Sequence, residues 1–172
     1  MKLINYTKVP DSILRAMIRH CQPPGVHGFD ISFKNSGDGF LHARCYHSGT
    51  CYHKRNGHCP PLVVIHVPDW FCDMEGAHRM QCLYGARHSG NPRRRLGRDR
   101  QSCRGYMPSE AFTDHERLVG IIAHELRHIW QRMHPRGYRV WGARGQYSER
   151  DADAYEIHMT RTWRRLGLDI RG

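Results

Sequence analysis

A chain of 172 residues is long enough to bury one hydrophobic core and too short for two domains of ordinary size, so a single domain over 1–172 is expected. Lys and Arg total 27 against 16 Asp and Glu, and Lys2, Lys8, Lys34 and Lys54 are the only lysines, so the formal charge of +11 is almost wholly arginine. The first residues, MKLINYTKVPDSILRAMIRH, lack the apolar core of a secretory leader, and no run of ~20 apolar residues follows, which points to a soluble, cytoplasmic protein without a membrane span. In that compartment seven cysteines read as thiols or metal ligands rather than disulfides.

Taken in chain order, the first expected element is a helix from Pro10 to Cys21. Pro10 suits a first turn, Ile13, Leu14, Met17 and Ile18 make one apolar stripe, and Pro23-Pro24-Gly25 stops it. In GFDISFKNS, Phe29, Ile31 and Phe33 alternate with outward Asp30, Ser32 and Lys34. The Asn-Ser-Gly-Asp-Gly that follows reads as a turn into FLHARCYH, which predicts a hairpin. The β-branched run LVVIHV, Leu62 to Val67, lies between prolines and reads as a third strand with a protected or edge face.

Residues 69–112 are rich in Gly, Arg and Cys and show no sustained period, so they form an irregular region. Within it NPRRRLGRDR is a solvated arginine loop, and Arg93, Arg94 and Arg95 are candidates for contact with a nucleic acid or another polyanion. From Thr113 the pattern turns helical, with one helix expected over Asp114 to Met133 and a second from Ser148 to Leu166. The order of elements gives an α+β domain: a helix and strand-rich half over 1–68, the irregular region, and two helices over 113–172.

The first of those two helices carries His124-Glu125-Leu126-Arg127-His128. On a wheel of ~100° per residue, His128 lies about 40° from His124 and Glu125 about 100° away. Leu118, Ile122, Leu126, Ile129 and Met133 fall on the opposite side, so the histidine face and the core face are distinct. This H-E-x-x-H spacing is the one at which two imidazoles bind Zn²⁺ and the glutamate takes a proton from a zinc-activated water. His124 and His128 are therefore candidate metal ligands and Glu125 the candidate general base.

A third ligand has two candidates. His134 stands where H-E-x-x-H-x-x-G-x-x-H would place one, but Gln131 occupies the position of the chain-reversing glycine. With the helix continuing to Met133, His134 points away, about 240° around from His128. The alternative is Glu149 in YSERDADAYEIHMTRTWRRLG, where Ala152, Tyr155, Met159, Trp163 and Leu166 form the apolar stripe of the second helix. Asp153, one turn on, is placed to accept the N–H of a ligand histidine and hold its tautomer.

At these residues the chain resembles the gluzincin metallopeptidases, in which H-E-x-x-H is paired with a downstream E-x-x-x-D and of which thermolysin is the familiar member. The short E-R-D-A-D segment, 21 residues after His128, is similar to that of the compact ImmA/IrrE-like and phage-encoded minimal zincins. The resemblance covers mainly residues 113–166. It implies a small zincin-like domain in which His124, His128 and Glu149 hold Zn²⁺, Glu125 is the base and Asp153 supports a ligand. It further implies peptide-bond hydrolysis of a protein or peptide substrate. That substrate would be laid beside an edge strand, for which LVVIHV is the candidate, with Tyr138, Tyr147 or His158 donating to the oxyanion.

CYHSGTCYHKRNGHC adds Cys45, Cys51 and Cys59, with His47, His53 and His58, as candidates for a structural metal, although the spacings are not those of a Cys-x-x-Cys knuckle. The competing function is a basic nucleic-acid-binding module stabilised by zinc. A closed structural zinc site, however, has no use for Glu125.

Overall fold

A computed structural model describes residues 1–37, 41–46, 60–68, 113–134 and 148–168, the side chains of His42, Asp114, Glu149 and Arg150 excepted. Within them the elements run β1 (Leu3–Asn5), α1 (Asp11–Cys21), β2 (Asp30–Asn35), β3 (His42–Tyr46), β4 (Leu62–Val67), α2 (Asp114–Met133) and α3 (Ser148–Arg165). This is an α+β arrangement of three helices and one mixed sheet.

The sheet order is β1-β2-β4-β3. β1 runs parallel to β2, β2 parallel to β4, and β3 antiparallel to β4. The expected β2–β3 hairpin therefore does not form: β4 inserts between its two arms, pairing Ile31 with Val63 on one side and Cys45 with Val63 on the other. The physical reason lies in the composition of β4. Val63, Val64, Ile65 and Val67 are all buried, so successive residues are covered on both faces, as in a central strand rather than an edge one. LVVIHV is thus not the edge strand that the resemblance implies for substrate; β1 and β3 are the edges of the described sheet. Ser32, expected outward, is also buried.

The core joins Leu14, Met17 and Ile18 of α1 to Phe29, Ile31 and Phe33, to Val63 and Ile65, and to Leu118, Ile122, Leu126 and Ile129 of α2. These are the same-face positions that the periodicities pick out. Two stripes end earlier than their periods suggest. Met133 is 47% exposed on the last residue of α2, and Leu166 is 60% exposed just past the end of α3, both beyond the reach of the core.

Helix α2 starts where its sequence provides a cap: Thr113 Oγ1 accepts from the Glu116 amide, satisfying one of the orphan donors of the first turn. Helix α3 lies antiparallel to α2, with Glu116 opposite Arg164 at one end and Gln131 opposite Ser148 at the other. Helix α1 closes against α3: Tyr155 Oη donates to the Cys21 carbonyl at 3.0 Å, and a His20 ring nitrogen meets the Met159 carbonyl at 2.9 Å. Among the described residues no helix is long and apolar enough to cross a membrane.

Candidate metal centre

The antiparallel pairing of α2 and α3 puts the histidine face of α2 against the acidic N-terminal half of α3. His124 and His128, one turn apart, direct their ε-nitrogens at each other across 3.1 Å. The rings meet edge to face, with centroids 4.7 Å apart. Whether this contact is a hydrogen bond depends on where each ring carries its proton, and the surroundings decide it.

For His128 the chain of donors is complete. Gln131 donates through Nε2 to the Ser148 carbonyl at 2.7 Å and to Asp151 Oδ2 at 2.9 Å, which fixes the orientation of its amide. Its Oε1 is then what faces His128 Nδ1 at 2.9 Å, and an oxygen there requires Nδ1 to be the donor. The neutral ring consequently presents a lone pair at Nε2. Asp151 is itself held by Arg127, whose Nε and Nη2 reach its two oxygens at 2.6 and 3.0 Å. The Arg127 guanidinium lies 3.8 Å from the centroid of Trp130, which restrains it further.

For His124 the partners are carboxylates. Nδ1 lies 3.4 Å from both Asp153 Oδ1 and Glu156 Oε2, ion-pair distances rather than close hydrogen bonds. Two negative oxygens on that side place the proton at Nδ1, leaving Nε2 again as a lone pair. The facing ε-nitrogens are therefore two acceptors at 3.1 Å, an arrangement that calls for a cation or proton between them.

Glu156 is held in place from two sides, by Arg117 and by His124. Arg117 Nη1 donates to its Oε1 at 2.8 Å, and both side chains are largely withdrawn from water. Burial alone would push this carboxyl up, but the contact from His124 and the charge of Arg117 outweigh it and hold Glu156 below the ordinary carboxylate range. Its close approach is made possible by Gly120, one turn before His124. A Cβ at Gly120 would stand 3.0 Å from Glu156 Oε1, 3.1 Å from its Cγ and 3.2 Å from Thr160 Oγ1. A mid-helix glycine costs about 1 kcal/mol relative to alanine, and here it admits the Glu156 side chain.

His124, Asp153 and Glu156 form a group that could hold a metal ion, their ligand atoms lying within 4.8 Å of one another. The chain thus offers two faces of one imidazole: the δ side toward two carboxylates and the ε side toward His128. Zinc at about 2.05 Å from each of two nitrogens in a tetrahedral site separates them by roughly 3.3 Å, close to the 3.1 Å observed on the ε side. The donor set on that side, two imidazoles of which His128 has its far nitrogen bonded to Gln131 Oε1 and His124 has two carboxylates 3.4 Å from its own, also matches the chemistry of zinc sites.

Glu125 is half-buried on α2 beside His124. The Cys45 thiol on β3, the strand packed against α2, is pushed up to about 12, by burial and by the Glu125 charge. Glu149 is the second residue of α3, but its side chain lies outside the described residues, as do Tyr138, Tyr147, Cys51, Cys59, the histidines 47, 53 and 58, and Arg93 to Arg95. His134 caps α2, turned back on its own helix: its Nδ1 contacts the Trp130 carbonyl at 2.8 Å and its ring stacks on Trp130 at 4.3 Å. His158 is exposed and lines a concavity with Arg161, Arg164 and Arg165, while Asp153 and Glu156 are the residues of α3 that face His124.

Glu156, Gln131 and Gly120 are not singled out by the motif. The signal for Glu156 is its position three residues after Asp153, on the same face of an acidic helix half. No protein-family model matches the chain, and no curated protein or solved structure matches it either.

Proposed function

We propose that the protein is a zinc-dependent peptidase in which His124 and His128 hold the metal through their ε-nitrogens, with Glu149 as third ligand and Glu125 as general base. The observation that carries this reading is the pair of ε-nitrogens 3.1 Å apart, with Gln131 Oε1 bonded at the δ-nitrogen of His128 and two carboxylates 3.4 Å from that of His124. The H-E-x-x-H spacing adds support, together with the E-x-x-x-D segment that makes the chain similar to gluzincins.

When bound there, Zn²⁺ supplies Lewis acidity, which lowers the pKa of a water and polarises a carbonyl. The protein's own groups do the remaining work. Gln131 and the Asp153/Glu156 pair keep both ligand rings in one tautomer and one orientation. Glu125, beside His124, takes the proton of the attacking water and returns it to the leaving amine. β3 replaces β4 as the strand for substrate: it is an edge of the described sheet and packs against α2, the helix that carries Glu125, so a peptide added along it as a further strand would run beside the helix of the base.

The test compares the parent with Glu125→Gln, both loaded with zinc, on a mixed peptide library read by mass spectrometry. Cleavage by the parent and a loss of ~10²-fold or more in the variant, at equal zinc content, is the expected result, since acid–base assistance is worth ~10²–10⁴ in rate. Equal cleavage by both would overturn the proposal.

A further inference from the structure

The two halves of α3 carry opposite charge. Asp151, Asp153 and Glu156 occupy the first part, and each is committed toward α2: Asp151 to Arg127, the other two to His124. The second part holds no acid. His158, Arg161, Arg164 and Arg165 instead line an open concavity of about 490 Å³, with Ala154 and Ile157 as its apolar portion.

Part of this charge has a local explanation. Arg164 and Arg165 sit in the last turn of the helix, where cations are favoured by the dipole. That effect fades within one turn, so it does not account for Arg161 or His158. Nor is the surface a set of loose side chains. Arg164 is anchored by a two-pronged contact with the buried Glu116, its Nε at 2.7 Å from Oε1 and its Nη2 at 2.6 Å from Oε2. Arg165 Nη2 reaches Thr162 Oγ1 at 3.3 Å, and Thr162 in turn donates to the His158 carbonyl at 2.8 Å. One wall of the concavity is therefore fixed, which lowers the ordering cost of binding.

We propose that this concavity on α3 binds the phosphodiester backbone of a nucleic acid. Guanidinium groups match phosphate oxygens with paired N–H donors, and the whole chain carries a formal charge of +11 that is almost entirely arginine. The lining also defines the kind of binding. It contains no Phe, Tyr or Trp to stack a base and no Asn or Gln to read an adenine edge. The contact proposed is with phosphate and sugar, which positions a nucleic acid without carrying sequence information. Apart from Ala154 the surface belongs to the part of α3 beyond Glu156, and it shares no residue with the proposed metal ligands, so it is independent of the peptidase proposal.

The experiment titrates the zinc-loaded full chain into a fluorescein-labelled mixed-sequence DNA duplex of ~20 base pairs, following anisotropy between ~50 and ~200 mM salt. The variant is Arg161→Gln/Arg165→Gln, both positions being exposed; Arg164 is left intact because its loss would strand buried Glu116. The parent should bind at ~50 mM salt irrespective of DNA sequence. The double variant should bind about tenfold more weakly, with a log–log salt slope shallower by about two, since each phosphate that an arginine neutralises adds ~0.9 to that slope. Circular dichroism and zinc content should match the parent. Absence of binding by the parent at ~50 mM salt would overturn the proposal, as would a double variant with the parent's affinity and slope. Competition by polyglutamate as effective as that by unlabelled DNA would do the same, because the surface would then be one for acidic peptides.

Discussion

Gln131 Oε1 and His128 Nδ1 are joined at 2.9 Å, and because the Gln131 amide donates to Ser148 and Asp151, this contact fixes which nitrogen of His128 is left to bind a cation. Gln131 occupies the position at which a metzincin would have glycine. In this chain the helix runs straight through it, and the side chain ties the end of α2 to the start of α3. The first prediction concerns that tie.

Replacing Gln131 by Leu removes the acceptor that keeps His128 in one tautomer. Zinc affinity, measured by competition with a chromophoric chelator, should fall ~10–100-fold, the usual cost of losing a partner of a metal-bound histidine. Gln131→Glu retains an acceptor oxygen for His128 but sets a second oxygen against the Ser148 carbonyl and Asp151, so it should recover only part of the loss. An unaltered affinity in the Leu variant would mean that the contact does not orient the ring.

Gly120→Ala pits two effects against each other. Alanine gains about 1 kcal/mol of helix propensity, but its Cβ would meet Glu156 Oε1 at 3.0 Å, and that carboxylate is pinned by Arg117 and His124. Overpacking of this kind costs about 1–3 kcal/mol. The substitution should therefore lower the midpoint of urea unfolding, whereas a rise would show that Glu156 moves aside freely.

Cys21 offers a probe of the helical packing. Its thiol is fully buried and donates to the Val119 carbonyl at 3.3 Å, and burial pushes its pKa well above the ordinary 9.0. The unfolded chain releases this proton first, so the native state holds more protons above pH ~9, and stability should decline as pH rises beyond that value. At pH ~8, alkylation of the Cys21 peptide, followed by mass spectrometry, should proceed only as fast as the fold opens. Labelling at the rate of a free thiol would show that α1 does not seal against α2.

On the proposed peptidase reading, the third ligand is Glu149 rather than His134. Glu149→Ala should lose zinc at chelator concentrations that the parent withstands, Asp153→Ala should fall between, and His134→Ala should behave as the parent, since His134 is turned back onto Trp130. Retention of metal by Glu149→Ala with loss by His134→Ala would contradict the assignment.

Much of this architecture is readable from the sequence, and the unread part has identifiable causes. Helix α2 is legible over Asp114–Met133 because its apolar stripe keeps one period and Thr113 provides a cap. The placement of His124 and His128 on one side follows from helical geometry alone. The sheet order is not legible, because alternation in β2 says which face is buried but not which strand is its neighbour. The unbroken apolar run of β4 does carry a clue: burial of successive residues belongs to a central strand, and that outweighs the flanking prolines that suggest an edge. β1, three residues long, is too short to show a period. Glu156 and Gly120 become meaningful only as a pair, since the glycine on α2 makes room for the acid on α3 and neither is unusual alone.

Which face of His124 holds the metal is tested most directly by imidazole ¹⁵N shifts in long-range ¹H–¹⁵N correlation spectra, recorded as zinc is added. Nε2 of both His124 and His128 should move to the metal-bound range together at one equivalent of zinc, while both Nδ1 atoms remain protonated. A shift at His124 Nδ1 without one at His128 would place the ion among Asp153 and Glu156 instead, and an absence of shifts at both rings would contradict the metal centre itself.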